Sequence, residues 1–182
     1  VILVSPNNPT GSCVKPDELS RLNILCADAG MAIICDEVFA DYIFSDRPDI
    51  CRTIATNTAV PTFVLGGLSK ALALPQMKLS WIAVNGSKVF VNEALARLEM
   101  IADTHLSVNT PVQNAAGVWL PEAARIQAEV RSRVKANYAV LDAVVSASGA
   151  GKVLPVEGGW YAVIHAPGVL DGEAFALRLL EE

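Results

Sequence analysis

Four short, unbroken apolar runs constrain the fold of this chain more than any other feature: Val1-Ile2-Leu3-Val4, Ala32 to Cys35, Thr62 to Leu65 and Trp81 to Val84. A strand with one wet face alternates apolar and polar residues, whereas continuous, β-branched runs mark strands buried on both faces. Pro6-Asn7-Asn8-Pro9 ends the first run, Asp36-Glu37 the second, Gly66-Gly67 the third and Asn85-Gly86 the fourth. Between the first two, Pro16 opens a helix with Asp17 and Glu18 in its first turn, where negative charge is favoured. Its apolar stripe is Leu19, Leu22, Leu25, Cys26 and Ala29, and Gly30 can end it. Buried strands alternating with helices predict an α/β fold on a mostly parallel sheet with flanking helices. The link from Leu65 to Trp81 is short, so the fourth strand can instead run antiparallel.

Beyond residue 86 the pattern turns helical. Ser87 to Asp103 carries Val91, Leu95, Leu98 and Ala102 on one face, and a short helix begins at Pro111 and is interrupted by Pro121. A long helix from Glu122 to about Ser146 shows the stripe Ile126, Val130, Val134, Tyr138, Leu141 and Val145. Gly149-Ala150-Gly151 breaks it. Val153 to Val156 and Trp160 to Ile164 read as two strands around Glu157-Gly158-Gly159, and Gly172 to Glu182 as a final helix. Three parts follow: 1–120, the connecting helix 121–148, and 149–182 as the start of a small α+β domain.

Composition removes several classes of function. Of 182 residues, 52% are apolar and only 18% charged, with a net charge of −5; about 25% charged is usual. Such a chain has enough apolar surface to fold. With no basic stripe it does not read as a nucleic-acid binder, and without a run of about 18 apolar residues it shows no membrane span. Cys13, Cys26, Cys35 and Cys51 form no Cys-x-x-Cys pair, and the histidines, His105 and His165, lie far apart, so no metal site is expected. The cysteines read as reduced, mostly buried thiols of a cytoplasmic protein. The apolar run at Val1 has no Met or leader before it, which suggests part of a longer protein.

Polar clusters follow three of the runs: Ser5-Pro6-Asn7-Asn8-Pro9-Thr10-Gly11, Asp36-Glu37 and Ser69-Lys70. In open α/β sheets the carboxyl ends of the strands form the ligand crevice, so an amide, a carboxylate and a lysine are expected to converge there. Taken singly, each has a bland reading: Asn-Pro marks turns, an acid after a strand caps a helix, and a lone lysine is usually solvated.

In this order, the set resembles the class I/II aminotransferases, enzymes of fold type I that depend on pyridoxal phosphate (PLP). Residues 5–11 look like their Asn-Pro-Thr-Gly motif, Asp36 to Tyr42 like their Asp-Glu-hydrophobic-Tyr motif, and Gly67-Leu68-Ser69-Lys70 like the segment bearing the Schiff-base lysine. The gaps of 28 residues from Asn8 to Asp36 and 34 from Asp36 to Lys70 suit that family. The resemblance implies the PLP-dependent transferase fold, in part, and transfer of an amino group between an amino acid and a 2-oxo acid in amino-acid metabolism. It further implies a homodimer. Lys70 would be the catalytic amine and proton shuttle, Asp36 the partner of the cofactor's ring nitrogen, and Asn8 a donor to its phenolic oxygen.

Two departures stand out. Phe39 occupies the cofactor-binding position where the family commonly has a tyrosine donating to the same oxygen, which leaves Asn8 alone, another role for Tyr42, or an altered imine pKa. Lys78 stands where relatives usually carry a phosphate-gripping arginine, keeping the charge without the bidentate fork. Lys78 and Ser69 are the expected phosphate contacts. Asp103 to Pro111 resembles a loop that reaches the partner subunit, but His105 reads better as part of a helix connection. Trp81 and Trp160 read as core or domain-contact residues, and Glu37 as a local cap.

The resemblance places an aromatic ring-stacking residue and a phosphate-binding helix before Val1, and a carboxylate-binding arginine after Glu182. The isolated chain is therefore expected to be inactive and prone to associate. A PLP-dependent C–S or β-eliminating lyase of the same fold is the nearest alternative function; a non-catalytic sensor module is the other.

Overall fold

The computed structural model describes residues 1–45, 47–149, 151–168 and 171–181. Four strands form the main sheet: β1 (Ile2–Val4), β2 (Ile33–Asp36), β3 (Thr62–Gly67) and β4 (Ser80–Asn85), in that spatial order. The first three are parallel, and β4 is antiparallel to β3, pairing Thr62 with Asn85 and Gly67 with Ser80. The antiparallel alternative for the fourth run is thus the observed one. Helix α2 (Leu68–Ala71) and one 3-10 turn over Pro75–Met77 are all that separate β3 from β4. They reverse the chain at the same end of the sheet, and no crossover helix carries it back as a parallel pairing requires.

Helix α1 (Pro16–Asp28) covers one face of the sheet. Its Leu19, Leu22 and Cys26 pack with Leu3, Ile33, Cys35 and Val64 and with Ile54 and Val60 of the following loop. Leu25 and Ala29 are exposed instead, so the buried stripe is narrower than the sequence suggests. Side chains alternate along a strand, so Ile34, Asp36, Phe63 and Leu65 face away from α1. On that face Phe63 meets Phe90 of helix α3 (Lys88–Thr104) edge to face at 5.7 Å.

Helix α4 (Thr110–Trp119) is capped by Asn109, whose Oδ1 accepts the Val112 N–H at 3.0 Å. His105 Nδ1 lies 3.0 Å from the Ile101 carbonyl at the end of α3, a local contact. The chain turns at Leu120–Glu122 into α5 (Ala123–Ser148), where every residue of the expected stripe is half-buried. Leu68 and Leu72 pack with Val112, Trp119 and Ile126, joining α2, α4 and α5. Polar residues of α5 hold the site-bearing loops: Gln127 donates to the Ala71 carbonyl, Arg131 to Asp41 and Lys135 to Phe44.

The two strands expected after α5 shrink to two-residue pieces, β5 (Lys152–Val153) and β6 (Ile164–His165). Pro155 has no N–H for a ladder, and the segment between them pairs elsewhere. Phe44 N–H donates to Glu157 O, Gly159 N–H to Tyr42 O, and both Glu157 and Gly158 N–H groups to Gly11 O. A terminal helix, α6, spans Gly172–Glu181. Ala150 of the expected breaker and Glu182 at the expected end of the last helix lie outside the described residues.

Candidate active site

The sheet register brings the three motifs together. Val4 pairs with Asp36, and Asp36 with Leu65, so the ends of the three parallel strands sit side by side, about 4.8 Å apart.

After β1, Asn7 builds the turn: its N–H donates to Ser12 O, its carbonyl accepts from Gly11 N–H, and its side-chain oxygen accepts from the Thr10 hydroxyl. Asn8 is left exposed, its amide bonded to none of the described residues. Gly11 has φ +70°, and a Cβ there would lie 2.5 Å from Val156 Cγ1 and 2.7 Å from Gly158 O. The motif's glycine is therefore the point where the segment around Glu157 docks.

Glu157 fastens that dock. One carboxylate oxygen accepts the Cys13 N–H at 2.8 Å, and the other pairs with Lys15. Burial works to raise its pKa, but the Lys15 bond, the Cys13 N–H and the charges of Lys15 and Arg47 outweigh it and hold it below the ordinary value.

At the end of β2, Asp36 Oδ1 accepts the Val38 N–H at 3.0 Å, and its second oxygen takes no hydrogen bond from the described residues. Glu37 turns away and accepts the Ile54 N–H at 2.7 Å, so in place of the expected local cap it ties β2 to a loop 17 residues further on. Burial raises its pKa against the hydrogen bonds from Thr53 and Ile54.

Lys70 sits on α2, just past β3. Its Nζ lies 5.7 Å from the Phe39 ring centroid and 5.4 Å from that of Trp160, and no described residue pairs with it. Both distances are within cation–π range. Phe39 is buried and meets Trp160 edge to face at 5.4 Å; Trp160 also meets Tyr42 at 5.0 Å. Tyr42 is fully buried, and its hydroxyl donates to the Lys70 carbonyl at 2.6 Å. Tyr42 thus has the separate role that the sequence left open: it holds the lysine's main chain. Burial, helped by the Asp41 charge, pushes its pKa up to about 12.

Ser69 is half-buried on α2, and Lys78 is exposed at φ +54° in the turn before β4. Neither bonds to another described residue. The structure therefore joins Phe39 and Lys70 in contact and sets Asp36 and Asn8 at adjacent strand ends, with Ser69 and Lys78 flanking. Sequence reasoning assigned Trp160 to core or domain contact. The contact is real, but it also places the indole over the lysine, and only the Gly-Gly step before it hinted at a close approach. A cavity of about 350 Å³ lies on the α1 face against Glu37, Arg52 and Trp81; Lys70, Asp36 and Asn8 do not line it.

Among the described residues no group of three or more His, Cys, Asp or Glu could hold a metal, and no helix is long and apolar enough to cross a membrane. At or just past these strand ends stand the unpaired amine of Lys70, a free carboxylate oxygen of Asp36 and the exposed side-chain amide of Asn8. That set suits an aromatic aldehyde bearing acceptor oxygens and a ring nitrogen, and PLP fits it.

A mostly parallel sheet with flanking helices, bearing its lysine past the carboxyl end of a strand, is the architecture of the PLP-dependent aminotransferases. An aminotransferase of Mycobacterium tuberculosis superposes with TM-score 0.82 at 23% identity, over 100% of this chain and 46% of that one. Aspartate aminotransferase of Thermotoga maritima does so with TM-score 0.77 at 24% identity, over 100% and 45%. The chain belongs to the aminotransferase class I and II family, whose model matches residues 1–182. A glutamate-pyruvate aminotransferase of Haemophilus influenzae is 29% identical over 115 residues, 63% of this chain and 28% of that protein. An S-alkyl-thiohydroximate lyase of Arabidopsis thaliana is 33% identical over 85 residues, 47% and 18%. The chain spans less than a third of these curated relatives and under half of the solved structures.

Proposed function

We propose that the protein is a PLP-dependent aminotransferase that moves an amino group between an amino acid and a 2-oxo acid, with Lys70 holding the cofactor. The observation that carries this reading is the Lys70 amine, unpaired and seated on two aromatic rings beside the strand end that bears Asp36. Bound there, PLP supplies an aldehyde that condenses with amines and a ring that accepts the electron pair left when a Cα proton departs. Lys70 Nζ anchors that aldehyde and, once displaced by substrate, moves the proton at the substrate Cα. The free oxygen of Asp36 accepts from the ring nitrogen and keeps it charged. Asn8 donates to a ring oxygen, and Ser69 and Lys78 hold the phosphate. Phe39 and Trp160 shield the amine from water, while Tyr42 fixes the backbone it hangs from. On this reading residues 1–120 belong to the cofactor domain, 121–148 form its connecting helix and 149–182 begin a small domain, in a cytoplasmic homodimer.

Borohydride reduction of the whole protein with PLP, followed by peptide mapping, tests the anchor: the reduced adduct is expected on Lys70 and lost in Lys70→Ala. An adduct that persists in that variant refutes the assignment. The lyase relative gives the second reading its footing. Amino transfer to pyruvate or 2-oxoglutarate supports the first; release of ammonia and pyruvate from a β-substituted amino acid supports the second.

A further inference from the structure

We infer that Glu157 and Lys15 are positioning residues for the Lys70 amine: their ion pair sets the Trp160 ring against it. Lys70 Nζ lies 5.4 Å from the Trp160 ring centroid and 5.7 Å from that of Phe39. The two rings are held in different ways. Phe39 is buried and follows the end of β2 by three residues, so the main sheet fixes it. Trp160 comes from a segment whose own sheet is too small to place it. Strands β5 and β6 pair only two residues each, and Trp160 belongs to neither. Its position therefore depends on what the residues just before it touch.

Those residues are gripped by backbone, by packing and by charge. Glu157 and Gly158 N–H groups donate to Gly11 O, and Gly159 N–H to Tyr42 O. A Cβ on Gly158 would lie 2.9 Å from both Ile43 Cα and Pro6 Cγ. The Glu157 carboxylate supplies the charge. One oxygen accepts the Cys13 N–H at 2.8 Å, and the other pairs with Lys15 and lies 3.8 Å from Arg47 Nη1. The Lys15 and Glu157 side chains are only 25% and 20% exposed, so water screens the pair in part. Lys15 is itself anchored, because its N–H donates to Glu18 Oε2 at 2.9 Å in the first turn of α1, which packs on the sheet. A continuous path thus runs from α1 through Lys15 and Glu157, then three residues along the chain to Trp160. There the indole meets Phe39 at 5.4 Å and Tyr42 at 5.0 Å. The described partners of Glu157 are Gly11, Cys13, Lys15, Phe44 and Arg47; Lys70 is not among them, so the role is placement.

The inference rests on the reading of Lys70 as the working amine, but its test needs no cofactor. Acetic anhydride is added to the whole protein without PLP, and peptide mapping gives the rate at which each lysine is acylated. Exposed Lys88 at the start of α3 is the reference, and the thiol of Cys35, buried under α1, reports opening of the whole domain. Glu157→Gln and Lys15→Met are each expected to raise the Lys70 rate about 5- to 30-fold, the loss of a charge-assisted bond read as an equilibrium ratio. Cys35 should stay protected, and the double variant should be no faster than the faster single one, because both remove the same pair. Unchanged Lys70 rates overturn the inference. So does a rise at Lys70 matched at Cys35, which marks general destabilisation, or a double variant in which the two effects multiply. Should Glu157→Gln not fold by circular dichroism, Lys15→Met breaks the same pair and decides. A failure here leaves the borohydride result on Lys70 untouched, and a failure of that result leaves the shielding measured here intact.

Discussion

Replacing Tyr42 with Phe should make the protein less stable at neutral pH and more stable in strong alkali. The hydroxyl makes one hydrogen bond, to the Lys70 carbonyl at 2.6 Å. That carbonyl also accepts the Ala73 N–H at 3.3 Å, so the variant does not orphan it, and the ring contact with Trp160 survives. The loss at pH 7 is then about 1 kcal/mol, the net worth of a neutral hydrogen bond. Alkali reverses the order. The folded pKa of Tyr42 is about 12 against an ordinary 10.0, raised by burial and then by Asp41. Between those values the folded state keeps a proton that the unfolded state has released, so stability falls as pH rises through that window. Two units amount to about 2–3 kcal/mol. Phe has nothing to ionise, so the stability curves of parent and variant should cross near about pH 11. Chemical denaturation at pH 7, 9, 10, 11 and 12 measures this; Cys13 and Cys35, pushed up to about 11 and about 12 chiefly by burial, titrate in both proteins and cancel. Curves that stay parallel to pH 12 would refute the burial and bonding assigned to Tyr42.

Glu157→Gln should cost about 1–2 kcal/mol at pH 7 through its lost pairing with Lys15. Because the folded pKa of Glu157 is held below the ordinary carboxylate value, that difference should begin to shrink as pH falls below the ordinary value and be gone once pH has passed through the lower folded pKa, as acid denaturation would show. Gly11→Ala forces a Cβ against Val156 and Gly158 at a positive φ; a loss of about 2–4 kcal/mol is expected, with faster amide exchange at Glu157 and Gly158. Cys51 is half-buried while Cys13, Cys26 and Cys35 are buried, so a thiol reagent at pH 8 should label Cys51 first. Equal labelling of Cys35 would contradict its packing under α1.

Local patterns explain which parts of this structure could be read from sequence. The stripe of α5 and the continuous runs of β1, β2 and β3 follow from periodicity, because a helix or buried strand satisfies its own backbone. The Asn8, Asp36 and Lys70 clusters were legible for a related reason: each closes a strand, and the register aligns strand ends. Leu25 and Leu95 lie on apolar helix faces yet are exposed, because periodicity says which face is apolar but not how far a neighbour covers it. β5 and β6 came out short because the backbone of Glu157, Gly158 and Gly159 bonds to Gly11, Tyr42 and Phe44, distant pairings that no local pattern encodes. Trp160 beside Lys70 belongs to the same class, as does the Tyr42 bond to the lysine's carbonyl.

The seat beneath Lys70 has a temporal consequence. One wall, Phe39, precedes the lysine, but the other, Trp160, is made ninety residues after it. At about 5–20 residues per second, synthesis leaves the lysine without that wall for roughly 5–20 s. During that time the sheet can pair and α1 can dock, since their contacts come from earlier residues. The site itself is a late event that waits for a distant loop to close. Any slowing of the ribosome between residues 70 and 160 would prolong the interval in which the amine is bare to solvent aldehydes.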